Sequence, residues 1–150
     1  MSSTIFNAPQ YDPARERRRR NATITIILTL ALVAALAWML RFWPYEHVVD
    51  RFFTALENKN YETAYGIWIA DAQWKQHPDK YKNYPFGEFY ADWGPSGEWG
   101  EIKSYKIEGA GAPRGGSSGV VVEVTVNQRV DPKARIWVEK RDNSLTFSPY

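Results

Sequence analysis

Hydropathy changes abruptly at Arg20. From Asn21 to Leu40 twenty consecutive residues carry no charge, and as a helix rising about 1.5 Å per residue they extend about 30 Å, the thickness of a bilayer's hydrocarbon core. Asn21, Thr23, Thr25 and Thr29 gather at the start, whereas every residue from Leu30 to Leu40 is apolar. A helix buried in a soluble domain keeps a polar stripe along its length, so the pattern predicts one transmembrane helix over residues 21–43. At its far end Trp38, Trp43 and Tyr45 lie beside Arg41, the composition of an aromatic belt with a snorkelling arginine. At its near end Arg17, Arg18, Arg19 and Arg20 mark the opposite interface.

After Pro44, which suits the first turn of a new helix, the apolar positions Tyr45, Val48, Val49, Phe52, Phe53 and Leu56 recur at helical spacing. Asn58-Lys59-Asn60 interrupts the pattern, Asn60 is placed to cap a second helix, and Tyr61, Ala64, Tyr65 and Trp68 repeat it. A loop containing Pro78 follows, and Phe86, Phe89, Tyr90 and Trp93 predict a short third helix within residues 84–93. Beyond Gly94-Pro95-Ser96-Gly97 the period becomes two. Val120, Val122, Val124 and Val126 share one face of a strand over 119–129, with predicted strands at 100–109, 135–140 and 145–148 around it. The implied class is α+β: a single transmembrane helix, a helix hairpin, a third helix and an antiparallel meander of about four strands.

Charge sharpens the division. Residues 1–43 hold six arginines against Asp12 and Glu16, a net of +4, and the remaining 13 Lys+Arg and 15 Asp+Glu give −2. The basic pI of about 8.8 therefore belongs to the N-terminal segment, and the domain has no basic stripe for nucleic acid. Five arginines before the span and one after it place the N-terminus in the cytoplasm and the domain outside. Three segments result: a cytoplasmic basic tail (1–20), the transmembrane helix (21–43) and an extracytoplasmic domain (44–150). Met1 to Glu16, with Pro9 and Pro13 and no periodic pattern, is expected to lack regular structure. The rival to an anchor is a cleaved signal peptide, because Ala35-Leu36-Ala37 has the small-x-small form of a cleavage site and would release a secreted soluble domain. The length of the apolar stretch, the tail ahead of it and bulky Trp38-Met39-Leu40 after the cut favour the anchor.

The element order, opening with VVDRFFTALENKNYETAYGIW, resembles that of the NTF2-like superfamily over about residues 45–148, nearest to its short, membrane-tethered bacterial members of unknown function. The resemblance implies a small cone in which a curved antiparallel sheet folds around the helix hairpin. It also implies a single-pass protein of the bacterial inner membrane with its C-terminal domain outside the cytoplasm. It carries no catalytic motif. A hundred residues leave little room for the extra hairpin of larger members, and so for a deep pocket.

Few residues suggest chemistry. There is no cysteine, and the two histidines lack a helical i, i+4 relation, so no zinc site, metal or other cofactor is expected. His47 lies opposite its helix's apolar stripe. Asp71 and His77 flank Trp74 at a spacing that permits an acid/base pair, and Asp92 neighbours Trp93. No residue is assigned a catalytic role. Aromatic residues are dense between Trp68 and Trp99; they either fill the core or line a pocket or contact surface, for which Trp68, Trp74, Phe89, Tyr90, Trp93 and Trp137 are the candidates. The expected role is a non-enzymatic binding, accessory or scaffold subunit of a membrane or envelope complex, paired with itself or with other proteins. A ligand-binding or enzymatic domain with an aromatic-lined pocket is the alternative, so a small-molecule ligand stays open.

Overall fold

A computed structural model of the chain describes residues 12–150. They form two compact units, one ending at Arg41 and one running from Phe42 to Tyr150. The first unit is the helix α1, Pro13–Met39, none of whose residues is buried. It is long and apolar enough to cross a membrane. It also starts earlier than expected. Asp12 accepts hydrogen bonds from the N–H groups of Ala14 and Arg15 (2.9 and 3.3 Å), and Pro13 occupies the first turn, where its missing N–H costs nothing. Residues 13–16 are therefore helical, contrary to the expectation for the tail; the part of that expectation that concerns residues 1–11 lies outside the described residues.

The second unit is α+β. It contains α2 (Trp43–Glu57), α3 (Tyr61–Trp68), two 3-10 turns (Trp74–Gln76 and Pro78–Tyr81), α4 (Phe86–Trp93) and strands β1 (Tyr105–Gly111), β2 (Gly119–Val126), β3 (Ala134–Glu139) and β4 (Leu145–Phe147). The strands form an antiparallel sheet in the order β1-β2-β3-β4. Alternation along β2 buries Val120, Val122, Val124 and Val126 completely, and Ile136 and Val138 face the same way from β3. Against that face lies an aromatic layer centred on Phe52. Its ring meets Phe53 and Trp93 edge-on at 5.2 and 5.1 Å and Trp68 at 5.3 Å. Tyr105 ties the sheet to α2: its hydroxyl donates to the Asp50 carboxylate (2.7 Å), shares a hydrogen bond with Thr54 (2.7 Å), and its ring stacks on Phe53.

Both helices of the hairpin end in the same device. At the end of α2 the Asn60 N–H bonds to Ala55 O (2.8 Å) and the Lys59 N–H to Leu56 O (2.9 Å); at the end of α3 the Asp71 N–H bonds to Gly66 O (2.8 Å) and the Ala70 N–H to Ile67 O (3.1 Å). Each is a Schellman ending, in which one residue takes the left-handed conformation. Here those residues are Lys59 and Ala70, at φ 57° and 54°. Asn60 then caps α3 through the N–H of Thr63, as its position predicts.

Two strand limits differ from the periodicity. β1 begins at Tyr105 and not at Gly100, and β2 stops at Val126. Asn127 causes both differences. It adopts φ 49°, which ends the strand; its Oδ1 accepts from the N–H groups of Lys103 and Ser104, and its Nδ2 donates to the carbonyls of Trp99 and Glu101. One side chain thus supplies the partners that a sheet neighbour would otherwise give residues 99–104. The third helix starts at Phe86 because Pro85 disfavours a helical conformation at Tyr84, and the Tyr84 carbonyl is taken by the Tyr65 hydroxyl (2.7 Å).

Three substitutions read out this architecture in thermal or denaturant unfolding of the intact chain in mild detergent. Asn127→Ala lowers the domain's stability by about 2 kcal/mol, through lost hydrogen bonds and a left-handed backbone that alanine resists. Phe52→Ala lowers it by about 4 kcal/mol through a core cavity. Ala70→Gly, which relieves the left-handed strain at an exposed position, raises it by about 0.5–1 kcal/mol; no gain there would mean that the Schellman ending of α3 is unstrained.

Candidate functional site

α2 and α3 form two walls of an open groove of about 650 Å³. Val48 and Arg51 line it from α2, Glu62, Thr63 and Ile67 from α3, and Asp71, Trp74 and Lys75 from the segment after α3. The segment comes close because position 66 is glycine: a Cβ there would stand 3.1 Å from Asp71 O and 3.5 Å from Trp74 Cδ1. The charged groups are partly matched, with Lys75 Nζ 2.6 Å from Glu62 Oε2. The indole of Trp74 donates to Glu62 O (3.3 Å) and its ring stacks on Phe86 at 5.3 Å.

Asp71 holds the end of this groove together. Its Oδ2 accepts from the Tyr81 hydroxyl (2.7 Å) and lies 3.3 Å from Nδ1 of His77, and its Oδ1 accepts from the N–H of Gln73 (2.8 Å). The Asp71 side chain is 15% exposed and that of His77 52%. The Tyr81 hydroxyl bond holds the Asp71 carboxyl below its ordinary range against the opposing effect of burial, helped by the Gln73 N–H and by His77. Burial, with the Asp71 carboxylate second, pushes the Tyr81 hydroxyl up. The pair anticipated at Asp71 and His77 is thus brought together, with Tyr81 as a third member that spacing alone did not reveal. Tyr81 had a signal only in retrospect, since it stands one 3-10 turn past Pro78.

The remaining candidates fall in different places. Trp68, Phe89 and Trp93 are buried at 4%, 0% and 1% exposure, inside the aromatic layer. The indole N–H of Trp93 has no hydrogen-bond partner among the described residues and is enclosed by the rings of Phe52, Phe53, Trp68 and Phe147. Trp74 borders the groove. Tyr90 is exposed and meets Tyr61 edge-on at 5.0 Å. Trp137 lies on the sheet face opposite Ile136 and Val138, its ring across Gly119, a contact that leaves no space for a Cβ there, with Tyr150 at 5.8 Å. Gly66 and Gly119 were not anticipated as shaping residues; a glycine inside a helix or strand pattern is the signal for such close approach.

Asp92 does not join Asp71. It accepts from the Tyr84 hydroxyl (2.7 Å) at the exposed end of α4, and burial followed by this carboxylate raises Tyr84 strongly. His47 is exposed and stacks on Trp43 at 5.3 Å, beside a shallow recess shared with Glu46, Asp50 and the β1 residues Ile107–Gly109. Tyr45, in the same first turns of α2, packs against the core. On α1, Trp38 is exposed and carries the Arg41 guanidinium 3.7 Å above its ring, and Arg17, Arg18, Arg19 and Arg20 are exposed on the helix's early turns. No group of three or more metal-ligating side chains is found among the described residues.

Comparisons of the chain with protein-family models, with curated proteins and with solved structures return no match. The geometry therefore stands by itself: a polar-rimmed groove on the helix hairpin, an Asp–His–Tyr cluster at its end, and a sealed aromatic core behind it.

A carboxyl whose folded-state value is depressed stabilises the fold above its unfolded value and loses that contribution as pH falls through the folded one. Asp71→Asn is therefore expected to melt below the wild-type domain at about pH 5, by a margin that shrinks as the pH drops below about 4. Melting curves of both proteins from about pH 5 down to about pH 2.5 test it; a margin that does not change over that range would remove the ionised Asp71 as the organiser of the loop.

Proposed function

We propose that the chain is a single-pass protein of a bacterial inner membrane whose NTF2-like domain, from about residue 44, stands outside the cytoplasm and acts as a non-enzymatic binding or scaffold subunit. The observation that carries the anchor is the surface of α1. Ile26, Leu30 and Leu32 are 59–63% exposed, and each such side chain left in water forgoes about 1.5–3 kcal/mol of burial. A lipid phase supplies that burial along the whole helix. The arginines ahead of Asn21 support a cytoplasmic N-terminus.

Support for the NTF2-like reading is the order of elements: a helix hairpin, a short third helix, then a four-stranded antiparallel meander whose apolar face receives the helices. Support for a binding role is the division of the aromatic residues. Those of the inner layer are packed against one another, and the accessible features are the groove on the hairpin and the Trp137 patch on the other sheet face.

A second reading, a ligand-binding or enzymatic domain, is favoured by one observation. A carboxylate 3.3 Å from Nδ1 of His77 can fix the imidazole so that the neutral ring presents Nε2 as a base, and Asp71 borders a groove large enough for a small molecule. Under the scaffold reading, His77→Gln keeps the same partners as the wild type; loss of a small-molecule turnover with partners retained would favour the second.

Two measurements on native membranes test the proposal. The full-length chain is expected to stay in the pellet after alkaline carbonate extraction, and protease added from outside the cytoplasm is expected to remove the domain but spare the N-terminal segment. Recovery of the chain in the aqueous fraction would overturn the anchor. After mild detergent extraction, native mass measurement is expected to find the chain in an oligomer or with a partner; a strictly solitary monomer would overturn the subunit role.

A further inference from the structure

The helix α1 runs ahead of its apolar stretch: residues 13–20 add two turns before Asn21, stabilised by the Asp12 cap. Successive helical residues turn about 100° and rise about 1.5 Å, so Arg17, Arg18, Arg19 and Arg20 point to four sides of the helix within about 6 Å of its length. A bilayer with a hydrocarbon core of about 30 Å and an overall thickness of about 40–45 Å has a headgroup layer about 5–8 Å deep on each side. With Asn21 at the hydrocarbon edge, all four guanidinium groups fall inside one headgroup layer.

Their charge exceeds that of the neighbouring acids, and no ion pair among the described residues holds them. None of the ion pairs there engages Arg15, Arg17, Arg18, Arg19 or Arg20. Of the two nearby acids, Asp12 caps the helix and Glu16 joins none of these ion pairs; five arginines against these two acids leave residues 12–20 with a net charge of +3, and residues 1–11 contain no Asp or Glu. At the other end of the apolar stretch the guanidinium of Arg41 lies over the Trp38 ring.

We propose that Arg17–Arg20 form a collar that concentrates anionic phospholipid around the cytoplasmic end of α1, each guanidinium donating to the phosphate of a phosphatidylglycerol-type headgroup. The inference rests on the spanning reading and deepens it by naming the lipid class. A nucleic acid or an acidic protein approaches a helix from one side and reaches about half of a ring of four groups 100° apart; a layer of lipid surrounds the helix and reaches all of them.

The test uses the intact chain in nanodiscs of phosphatidylcholine with about one-fifth phosphatidylglycerol, comparing the association of spin-labelled phosphatidylglycerol and phosphatidylcholine with the helix. The wild type is expected to prefer phosphatidylglycerol about three- to fivefold at low salt, and to lose most of that preference on raising salt to about 0.5 M. Substituting all four arginines by glutamine is expected to bring the ratio near one, and substitution by lysine to retain it. Both faces of a nanodisc are equivalent, so a variant inserted the other way round reads the same. A wild-type ratio equal to that of the glutamine variant would overturn the collar, as would loss of the wild-type preference to an added single-stranded oligonucleotide. Alkaline carbonate separates the two levels: a chain stripped from native membranes overturns the spanning reading and the collar with it, whereas a chain that resists carbonate and shows a ratio of one overturns the collar alone.

Discussion

Neither the helix hairpin nor the sheet of the C-terminal domain can hide its apolar face by itself, and the fold follows from their mutual burial. Phe52 stands where this constraint is strongest. Its ring is fully buried and in contact with rings from α2, α3 and α4, while the four valines of β2 and Ile136 and Val138 of β3 close the other side. Aromatic residues suit a domain of this size because each buries much area and meets its neighbours edge-on. The arrangement has a cost at Trp93, whose indole N–H is buried without a hydrogen-bond partner among the described residues; an unmet donor costs about 1–3 kcal/mol, which the surrounding ring contacts have to exceed.

Around this centre, individual side chains hold the segments that lie between the α-helices and strands. Asn127 ties residues 99–104 to the end of β2, and Asp71 gathers Gln73, His77 and Tyr81 into the segment that borders the groove. The two are chemically unlike. Asn127 is neutral and has both its donor and acceptor capacity used, so its hold does not vary with pH. Asp71 works as an anion, so the shape of the groove's end is coupled to protonation. Gly66 links that end to the core, because the backbone at Asp71 approaches α3 more closely than a methyl group would comfortably allow.

Much of this architecture is legible in the periodicity of the sequence. The stripes beginning at Tyr45 and Tyr61, the alternating valines of β2 and the cap at Asn60 all correspond to observed features, because burial and local hydrogen bonding act over a few residues. What escaped depends on partners distant in sequence or on single conformations. The start of β1 is set by Asn127, more than twenty residues away, and Asp12-Pro13 begins α1 within a stretch whose composition suggested no structure. Among the site residues, Asp71 and His77 stood out by type, but Tyr81 joined them only through the two 3-10 turns between Trp74 and Tyr81. The aromatic run was legible as a run. Which rings turn inward, as Phe89 and Trp93 do, and which border the surface, as Trp74 and Tyr90 do, is a property of the packed helices.

Charge distribution limits what the domain can recognise. From Pro44 onward the net charge is −2, so in the proposed anchored form an anionic bilayer surface gives this domain no net attraction. The arginines of α1 have the opposite relation to such a surface. In the proposed form, lipid affinity and partner recognition fall to different segments, and recognition by the domain would have to come from short-range features. The groove offers these: half-buried apolar lining from Val48, Ile67 and Trp74 beside exposed Arg51 and the Glu62–Lys75 pair. A partner seated there would meet mixed charge and apolar surface at close range, a combination that rewards fit over net charge.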